Sequence, residues 1–570
     1  METTFGEYFP YVRHAARIPA DLRDGCEAHR HPVVIAGGGP TGLALALDIS
    51  AHGIPVVVLE ADDTVCSGSR AGAFTRRTLE VLERLGIVDQ VLASGHAWRT
   101  GLTFLRDREV FRFEMPHDEN QKYPPAISQL QNWIEHLMVE EAARRGNVDI
   151  RWQSSVAGLT QTDAGVHLDV DTPAGRYALN ADHVVACDGA RSSVRRLMGL
   201  EMHGTRYEGR YVIIDIRMDT EGLPVGRRCW FDPPSKPGGT LLMYKKPNGM
   251  VRFDYQLNPE DDEVAEMQPE RVFAQVGQHL KMLGLERKWE PVWMTLYRAS
   301  AVTLERYLHG RVLFAGDAAH LIPIFGVRGM NSAIDDLHNL AWKLAFVSKG
   351  LASAALLETY SDERVYAARE NHRYAMKGAE FMAPPSKPFR LMRDAVLSLA
   401  EKHPWVAQLA NPRQHSAIPL VTSPLNAFPE RSAEFTAGPA PGWILPECPL
   451  HHAGHDTHLT SLLGPHFTAF WFGEPDAAPA IDTVLPLELV AIAPADDVTG
   501  RLYPLYGAIP GTLYLVRPDG HVLARWRTAV AAEIAAALEH VRRYVNAGAA
   551  ATGQMPERSA TPTHGANRAN

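Results

Sequence analysis

A chain of 570 residues holds three or four structural units at roughly 100–200 residues each, enough to bury a core without disulfide or metal staples. Its composition, 45% hydrophobic and 22% charged with a net charge of −9, is that of a soluble globular protein, and no basic stripe marks it for nucleic acid. Five cysteines form no C-x-x-C pair and leave an odd count, which argues against a disulfide framework or a cysteine zinc site and for a reducing compartment.

Charged residues from Glu7 to Asp24 break up positions 1–30, leaving no signal-peptide core. No run of about 18 apolar residues occurs anywhere, so no membrane span is expected and the cytoplasm is the expected setting. Residues 33–36 (VVIA) read as a buried strand, interrupted by GGGPTG at 37–42. The run 43–53, LALALDISAHG, is helical in pattern and stops at Gly53, and PVVVLE at 55–60 is a second buried strand. Helices are predicted over 75–85 and 127–145, with short strands at 149–153, 166–170 and 183–187. From 206 to 300 alternating segments such as MVRFDYQL and PVWMTLYR, separated by Pro and Gly, predict an antiparallel sheet. A buried strand returns at RVLFAGDAAH (311–320), followed by a long helix over 332–349 and helical patterns to about 400. Prolines crowd the stretch 404–447, read as an extended connector. Three strands and a closing helix predict a last compact unit over 448–547, and 548–570 read as a disordered tail.

Gly37-x-Gly39-x-x-Gly42 lies between a predicted strand and a predicted helix. The first glycine allows a tight turn, the second lets backbone approach a pyrophosphate, and the third lets helix pack on strand. Pro40 and Thr41 open the helix, whose positive N-terminus would face the phosphates. Glu60 lies 18 residues beyond Gly42 at the end of the next strand, where a carboxylate can accept hydrogen bonds from ribose hydroxyls. Two later segments each place an aspartate just after a buried strand: Asp188 in CDGARSSVR (187–195) and Asp317 in GDAAH (316–320), the latter followed by LIPIFGVRGMNSAIDD.

With these three motifs in this order, residues 33–400 resemble the class A flavoprotein monooxygenases, the para-hydroxybenzoate hydroxylase-like aromatic hydroxylases. The resemblance implies an α/β fold, a Rossmann-like FAD-binding domain split by an antiparallel substrate-domain sheet. The expected organisation is an extension at 1–30, FAD-binding parts at 31–205 and 301–403, and the substrate sheet at 206–300. Asp317 would then bond a hydroxyl of the flavin's sugar-phosphate chain, and Asp188 would support the pyrophosphate side and the nicotinamide approach. Pro323, Gly326, Arg328, Gly329, Met330 and Asn331 would form the loop and helix start beside the isoalloxazine ring. Many relatives carry Gln at the position of Arg328, so a cation near the flavin edge is implied here. Arg70 occupies the family's arginine position for the FAD phosphates or ribityl chain, and Gln131, heading QNWIE, that of the ribityl-binding glutamine, with Gln129 as the alternative match.

In the phenol-hydroxylase branch an aspartate ahead of the R-T-L-E helix helps deprotonate the phenol; aligned on Arg77-Thr78-Leu79-Glu80, that position is Gly72, so any base must lie elsewhere. Tyr244, Arg252, Tyr255 and Tyr297, on predicted substrate-domain strands, are the candidates for lining the substrate pocket. GTLYLVRPDGHVLARW (511–526) resembles the thioredoxin-like domain of the phenol hydroxylase and 3-(3-hydroxyphenyl)propionate hydroxylase branch, but Cys448 stands alone, so a packing or interface role is expected. The activity implied is hydroxylation of a phenolic or related aromatic compound: NADH or NADPH reduces FAD, O₂ gives a hydroperoxyflavin, and the ring takes its distal oxygen. A homodimer is also implied. A Baeyer–Villiger or epoxidising oxygenase on a polycyclic or quinone-like substrate could share the scaffold, as could a non-catalytic flavin-binding redox sensor. The W-x-W-x-I-P signature of flavin halogenases is absent.

Overall fold

The computed structural model describes residues 2–410 and 414–546; the tail expected at 548–570 lies outside them. Strand β1 (Cys26–Ala36) carries the fully buried run Val33-Val34-Ile35 and feeds helix α1 (Pro40–Ala51). Proline at the first helical position is tolerated there because its missing N–H has no intrahelical partner anyway. Strand β2 (Val56–Leu59) returns parallel to β1, pairing Val56 with Val33. Next come α2 (Arg76–Arg84) and α3 (Gln131–Arg145). The helix predicted from 127 starts four residues later, since Ala126–Ser128 is already engaged as a strand paired with Ala73–Thr75 and His96–Trp98.

Strand β3 (Val148–Arg151) joins the far side of β2, while β4 (Ser155–Thr162), β5 (Gly165–Thr172) and β6 (Gly175–Ala186) form a meander. The last residues of β6 turn parallel to β1, pairing Val184 with Val34. The sheet order is therefore β3-β2-β1-β6-β5-β4.

A second sheet is built from β7 (His203–Met218), β8 (Arg227–Phe231), β9 (Thr240–Lys245), β10 (Met250–Gln256) and, after helix α4 (Pro269–Met282), β11 (Trp289–Thr303). Its central strands run β11-β7-β10-β9-β8. The sheet reaches beyond the stretch 206–300: Glu2–Thr4 pairs with β11 at one edge, and Thr100–Leu105 with β8 at the other. Partners this remote in sequence leave no local signal. Strand β12 (Val312–Phe314) then returns to the first sheet, parallel to β6, followed by α5 (Gly329–Ser348) and α6 (Leu356–Met382).

The stretch 404–447 is not simply extended. It contains helical turns at Pro404–Ala410 and Pro429–Ser432 and buries Leu420, Leu425 and Leu445. The C-terminal α/β region has strands β13 (Phe467–Phe472), β14 (Leu487–Ile492), β15 (Thr512–Val516) and β16 (Val522–Trp526), in the order β14-β13-β15-β16, and helix α7 (Ala531–Arg542). Cys448 is buried and free, as are Cys187 and Cys229. No helix among the described residues is long and apolar enough to cross a membrane.

This region docks through buried charge. Arg517 donates to Glu363 of α6 at 2.8 and 3.0 Å and to Asp519 at 2.5 Å; Lys343 of α5 donates to Glu363 at 2.7 Å. Asp519 also accepts from Asn339 and Trp342 of α5. From α2, Arg77 donates to the Asp519 carbonyl at 2.6 Å and Arg84 to that of Pro518 at 2.5 Å. Burial opposes ionisation of Glu363 and Asp519, but Arg517 outweighs it and holds both carboxyls below the usual range. Removing one member of such a network leaves uncompensated charge, at about 3–5 kcal/mol. Arg517→Ala is thus expected to lower unfolding free energy by about that amount, read by denaturant titration. Since both carboxyls have depressed folded values, their contribution is present above about pH 4 and is lost as pH falls through those values; the variant should lose part of the wild-type acid sensitivity.

Candidate functional site

The parallel strands β2, β1, β6 and β12 all end on one side of their sheet, the side on which open α/β sheets bind ligands. A cavity of about 700 Å³ lies there and runs on to one face of the second sheet. At its first end Gly37 adopts φ +102°, and a Cβ on it would stand 2.6 Å from the Cys187 carbonyl oxygen. A carbon on Gly42 would collide with the Gly37 carbonyl, so Gly42 packs behind the turn rather than lining the cavity. Gly39 has nothing within 4 Å of its Cβ position and, with Pro40 and Thr41, opens the N-terminus of α1 to the cavity.

Glu60 follows β2, and its carboxylate accepts from Gly38 N at 2.5 Å and Asp62 N at 2.8 Å. Burial nonetheless raises its carboxyl above the usual value. Asp188 accepts from Ser193 Oγ and Val194 N through one oxygen, both at 3.0 Å, while its Oδ1 is buried without a partner. Asp317, after β12, lines the cavity and is open to it; desolvation raises its carboxyl, opposed by His320 and Arg70.

The long wall is a loop and two helix starts. Arg70 is open to the cavity, with Nη2 3.6 Å from Glu2. Gln131 accepts from Ala71 N at 2.8 Å and donates to Glu135 at 2.9 Å. Gln129 turns away to Ser94, so of the two glutamines Gln131 lines the cavity. Before α5, Val327 has φ +52°, a left-handed conformation that costs a β-branched residue about 1–3 kcal/mol. Gly329, Met330 and Asn331 line the cavity at the N-terminus of α5. Asn331 is also a splice, accepting from Thr75 N at 2.9 Å and Thr78 Oγ1 at 2.6 Å and donating to the Val327 carbonyl at 2.6 Å. Arg328 lines the cavity but is largely buried, donating to Asn371 at 2.9 Å and lying 5.0 Å over the Tyr374 ring. Pro323 and Gly326 do not reach the cavity; their neighbours Ile322, Ile324 and Phe325 do.

Strand parity sorts the substrate candidates. Tyr244 pairs with Arg252, and both, with Tyr297, face the cavity. Tyr255 falls on the opposite face and does not line the site. It is buried against α4, with His279 at 5.2 Å. Tyr297 accepts from Ile324 N at 3.1 Å, fixing the loop before α5 to the sheet.

Four further residues on this face were not among the candidates: Tyr8, Asp215, Lys246 and Asp254. Asp215 pairs with Arg252 across β7 and β10 and accepts from its Nε and Nη2, each at 2.8 Å. The Tyr8 hydroxyl donates to Asp215 at 2.5 Å, and Lys246 Nζ stands at 3.4 Å. Arg252 continues to the carbonyls of Ser69 and Arg70. Burial opposes ionisation of Asp215, but Arg252 and Lys246 prevail and hold its carboxyl below the usual value. Lys246, fully buried, is pulled down to about 7 by desolvation and by Arg252. Asp254 is pushed up to about 6 by burial, against Arg252 and Lys246. An acidic residue in the middle of the apolar runs YVIIDIRM and MVRFDYQL is the signal that could have flagged two of them.

A dinucleotide cofactor fits the first end. Two helix N-termini, the unpartnered Asp188 Oδ1 and the open Gly39 offer donors, an acceptor and room.

Comparison with known proteins agrees. The family model described as FAD binding domain matches residues 30–375. A 3-(3-hydroxy-phenyl)propionate/3-hydroxycinnamic acid hydroxylase of Burkholderia vietnamiensis (strain G4 / LMG 22486) is 28% identical over 525 residues, covering 87% of this chain and 94% of its own. Among solved structures, the flavin-dependent monooxygenase PieE in complex with FAD and substrate shares the fold, with TM-score 0.76 at 24% identity over 90% of this chain and 99% of that one. The p-nitrophenol 4-monooxygenase PnpA from Pseudomonas putida DLL-E4 gives TM-score 0.59 at 27% identity, over 67% of this chain and 99% of that one.

Asp215→Leu would leave Arg252 and Lys246 buried without their counter-charge. Calorimetry is expected to show a loss of about 3–5 kcal/mol, well above the roughly 1 kcal/mol of an exposed ion pair.

Proposed function

This chain belongs to the FAD-dependent monooxygenases, and from that premise we propose that it hydroxylates a phenolic or related aromatic compound at the expense of NADH or NADPH. The observation that carries the reading is one continuous cavity, which joins the carboxyl ends of the parallel strands to the polar face of the second sheet. FAD, when bound, supplies the redox chemistry: it accepts hydride and delivers one atom of O₂ to the ring.

In this reading Gly37, Gly39 and the α1 N-terminus with Pro40 and Thr41 hold the pyrophosphate, and Gly42 lets α1 pack close behind it. Glu60 serves the adenosine ribose, and Asp317, Arg70 and Gln131 the ribityl and phosphate chain. Asp188 supports the pyrophosphate side. Backbone N–H groups at Gly329, Met330 and Asn331, which line the cavity at the α5 N-terminus, would hold the isoalloxazine side of the cofactor, where that N-terminus favours negative charge. Arg328 adds a cation beside that edge. The substrate ring then occupies the space bounded by Tyr244, Arg252 and Tyr297. Apolar Ile213, Leu242 and Phe325 on the same walls exclude water, without which reducing equivalents would be lost to hydrogen peroxide. The likeness to a relative named for hydroxylating a phenol supports the substrate class. We also read the C-terminal region as thioredoxin-like, with a packing role, since Cys448 is buried and lacks a partner thiol.

The test is aerobic NAD(P)H oxidation by the purified holoenzyme across a panel of phenols, with hydrogen peroxide quantified. Stimulation by one compound with little peroxide is expected. A flavin-loaded protein that oxidises neither nicotinamide with any phenol would overturn the reading. Gly37→Ala, which forces a methyl group against the Cys187 carbonyl, is expected to lower FAD affinity at least tenfold, measured by flavin fluorescence on titration of apoprotein.

A further inference from the structure

The hydroxylase reading leaves open which group accepts the phenolic proton. At the position where the phenol-hydroxylase branch carries its aspartate stands Gly72. A carbon built there would lie 2.8 Å from Lys246 Cε and 3.2 Å from Nζ. On this wall a buried amine has taken the space of a carboxylate.

The acids around the cavity are mostly committed elsewhere. Glu60 and Asp188 hold backbone N–H groups, Glu135 holds Cys66 N and Gln131, and Glu2 accepts from the Trp293 indole. Asp215 is saturated by Arg252 and Tyr8 and does not line the cavity. Asp254 differs. It sits on β10 two residues beyond Arg252, on the cavity face, opposite Leu242 on β9 and Ile213 on β7. Its Oδ1 is buried with no hydrogen-bond partner. Asp188 Oδ1 is too, but Asp188 lies beside the glycine turn and its other oxygen is bonded, whereas Asp254 stands on the second sheet. A buried, unpartnered carboxylate oxygen on a residue that lines the cavity calls for a donor from outside the protein.

We propose that Asp254 is the base that takes the substrate's phenolic proton, with Lys246 and Arg252 supplying the positive charge that the phenolate faces. The inference rests on the hydroxylase reading. In the step, the phenol O–H bond breaks, Asp254 gains the proton on a carboxylate oxygen, and the electron pair stays on the phenolic oxygen. The ring so charged is the more electron-rich, as attack on an electrophilic oxygen requires.

The charged and titratable groups that face Asp254 come from five strands. They are Arg252 on its own strand, Tyr244 and, just past the end of β9, Lys246, with Arg227 on β8, Asp215 on β7 and Tyr297 on β11. Burial outweighs the cations and lifts its carboxyl to about 6. It is therefore ionised at neutral pH, yet closer in basicity to a phenol than an exposed aspartate, which favours proton transfer.

The decisive variant is Asp254→Asn in the FAD-loaded protein, assayed on phenol and a series of ring-fluorinated phenols of increasing acidity. The expected result is a fall in kcat of about 10²-fold or more on phenol, with KM changed less than about threefold. The deficit should shrink as the phenol becomes more acidic, and the acid limb of kcat/KM near pH 6 should disappear. Asp254→Glu keeps a carboxylate and should retain that limb, shifted; if the asparagine variant does not hold flavin, comparison of wild type with Asp254→Glu decides. An equal deficit across the series, or an acid limb unmoved by either substitution, would overturn the assignment while leaving the hydroxylase reading intact. Failure of every phenol to stimulate the wild-type holoenzyme would remove that reading and this base together.

Discussion

One guanidinium joins the two halves of the cavity. Arg252 is anchored in the second sheet by both oxygens of Asp215 and crosses to the carbonyls of Ser69 and Arg70, in the loop that carries the first-domain wall. Neither half satisfies it alone. Its burial is tolerable because each of its three nitrogens finds an acceptor, and losing the counter-charge would strand its own at low dielectric. The loop so fixed presents Arg70 to the cofactor end and Ala71 N to Gln131. The two ends of the cavity are therefore aligned by the same contact, as the proposed hydroxylation within one cavity requires.

A second alignment runs through helices. Asn331 ties the start of α5 to the strand and first turn of α2. Arg77 of α2 reaches Asp335 on α5 and the Asp519 carbonyl of the C-terminal region. α5 is 20 residues long, about 30 Å at 1.5 Å per residue. Its N-terminus borders the cavity, and Asn339 and Lys343 further along are held by Asp519 and Glu363.

The first sheet was legible because its chemistry is local. A buried strand, a glycine turn and a helix lie within 20 residues, and Asp188 and Asp317, which line the cavity, each follow their own strand. The second sheet was legible as a sheet, but only partly as a site. Parity along one strand separates Arg252 from Tyr255, yet which face meets the cavity depends on packing against α4, and that is a tertiary fact. The charge cluster was harder still, since Tyr8, Asp215, Lys246 and Asp254 come from four segments spread over some 250 residues. The 404–447 stretch misled because proline density reports the absence of long regular elements, not the absence of burial.

The buried docking of the C-terminal region bears on what counts as a part of this protein. The match to the family model ends at residue 375, but Lys343, Glu363 and Arg77 inside it depend on Arg517 and on the 518–519 backbone outside it. Cut at the family boundary, the fragment would expose apolar Trp342 and Phe346 and leave the Lys343–Glu363 pair and Arg77 without their outer partners. The span that the family model matches is smaller than the span held together by these contacts, and a minimal catalytic version of this chain must keep its far end.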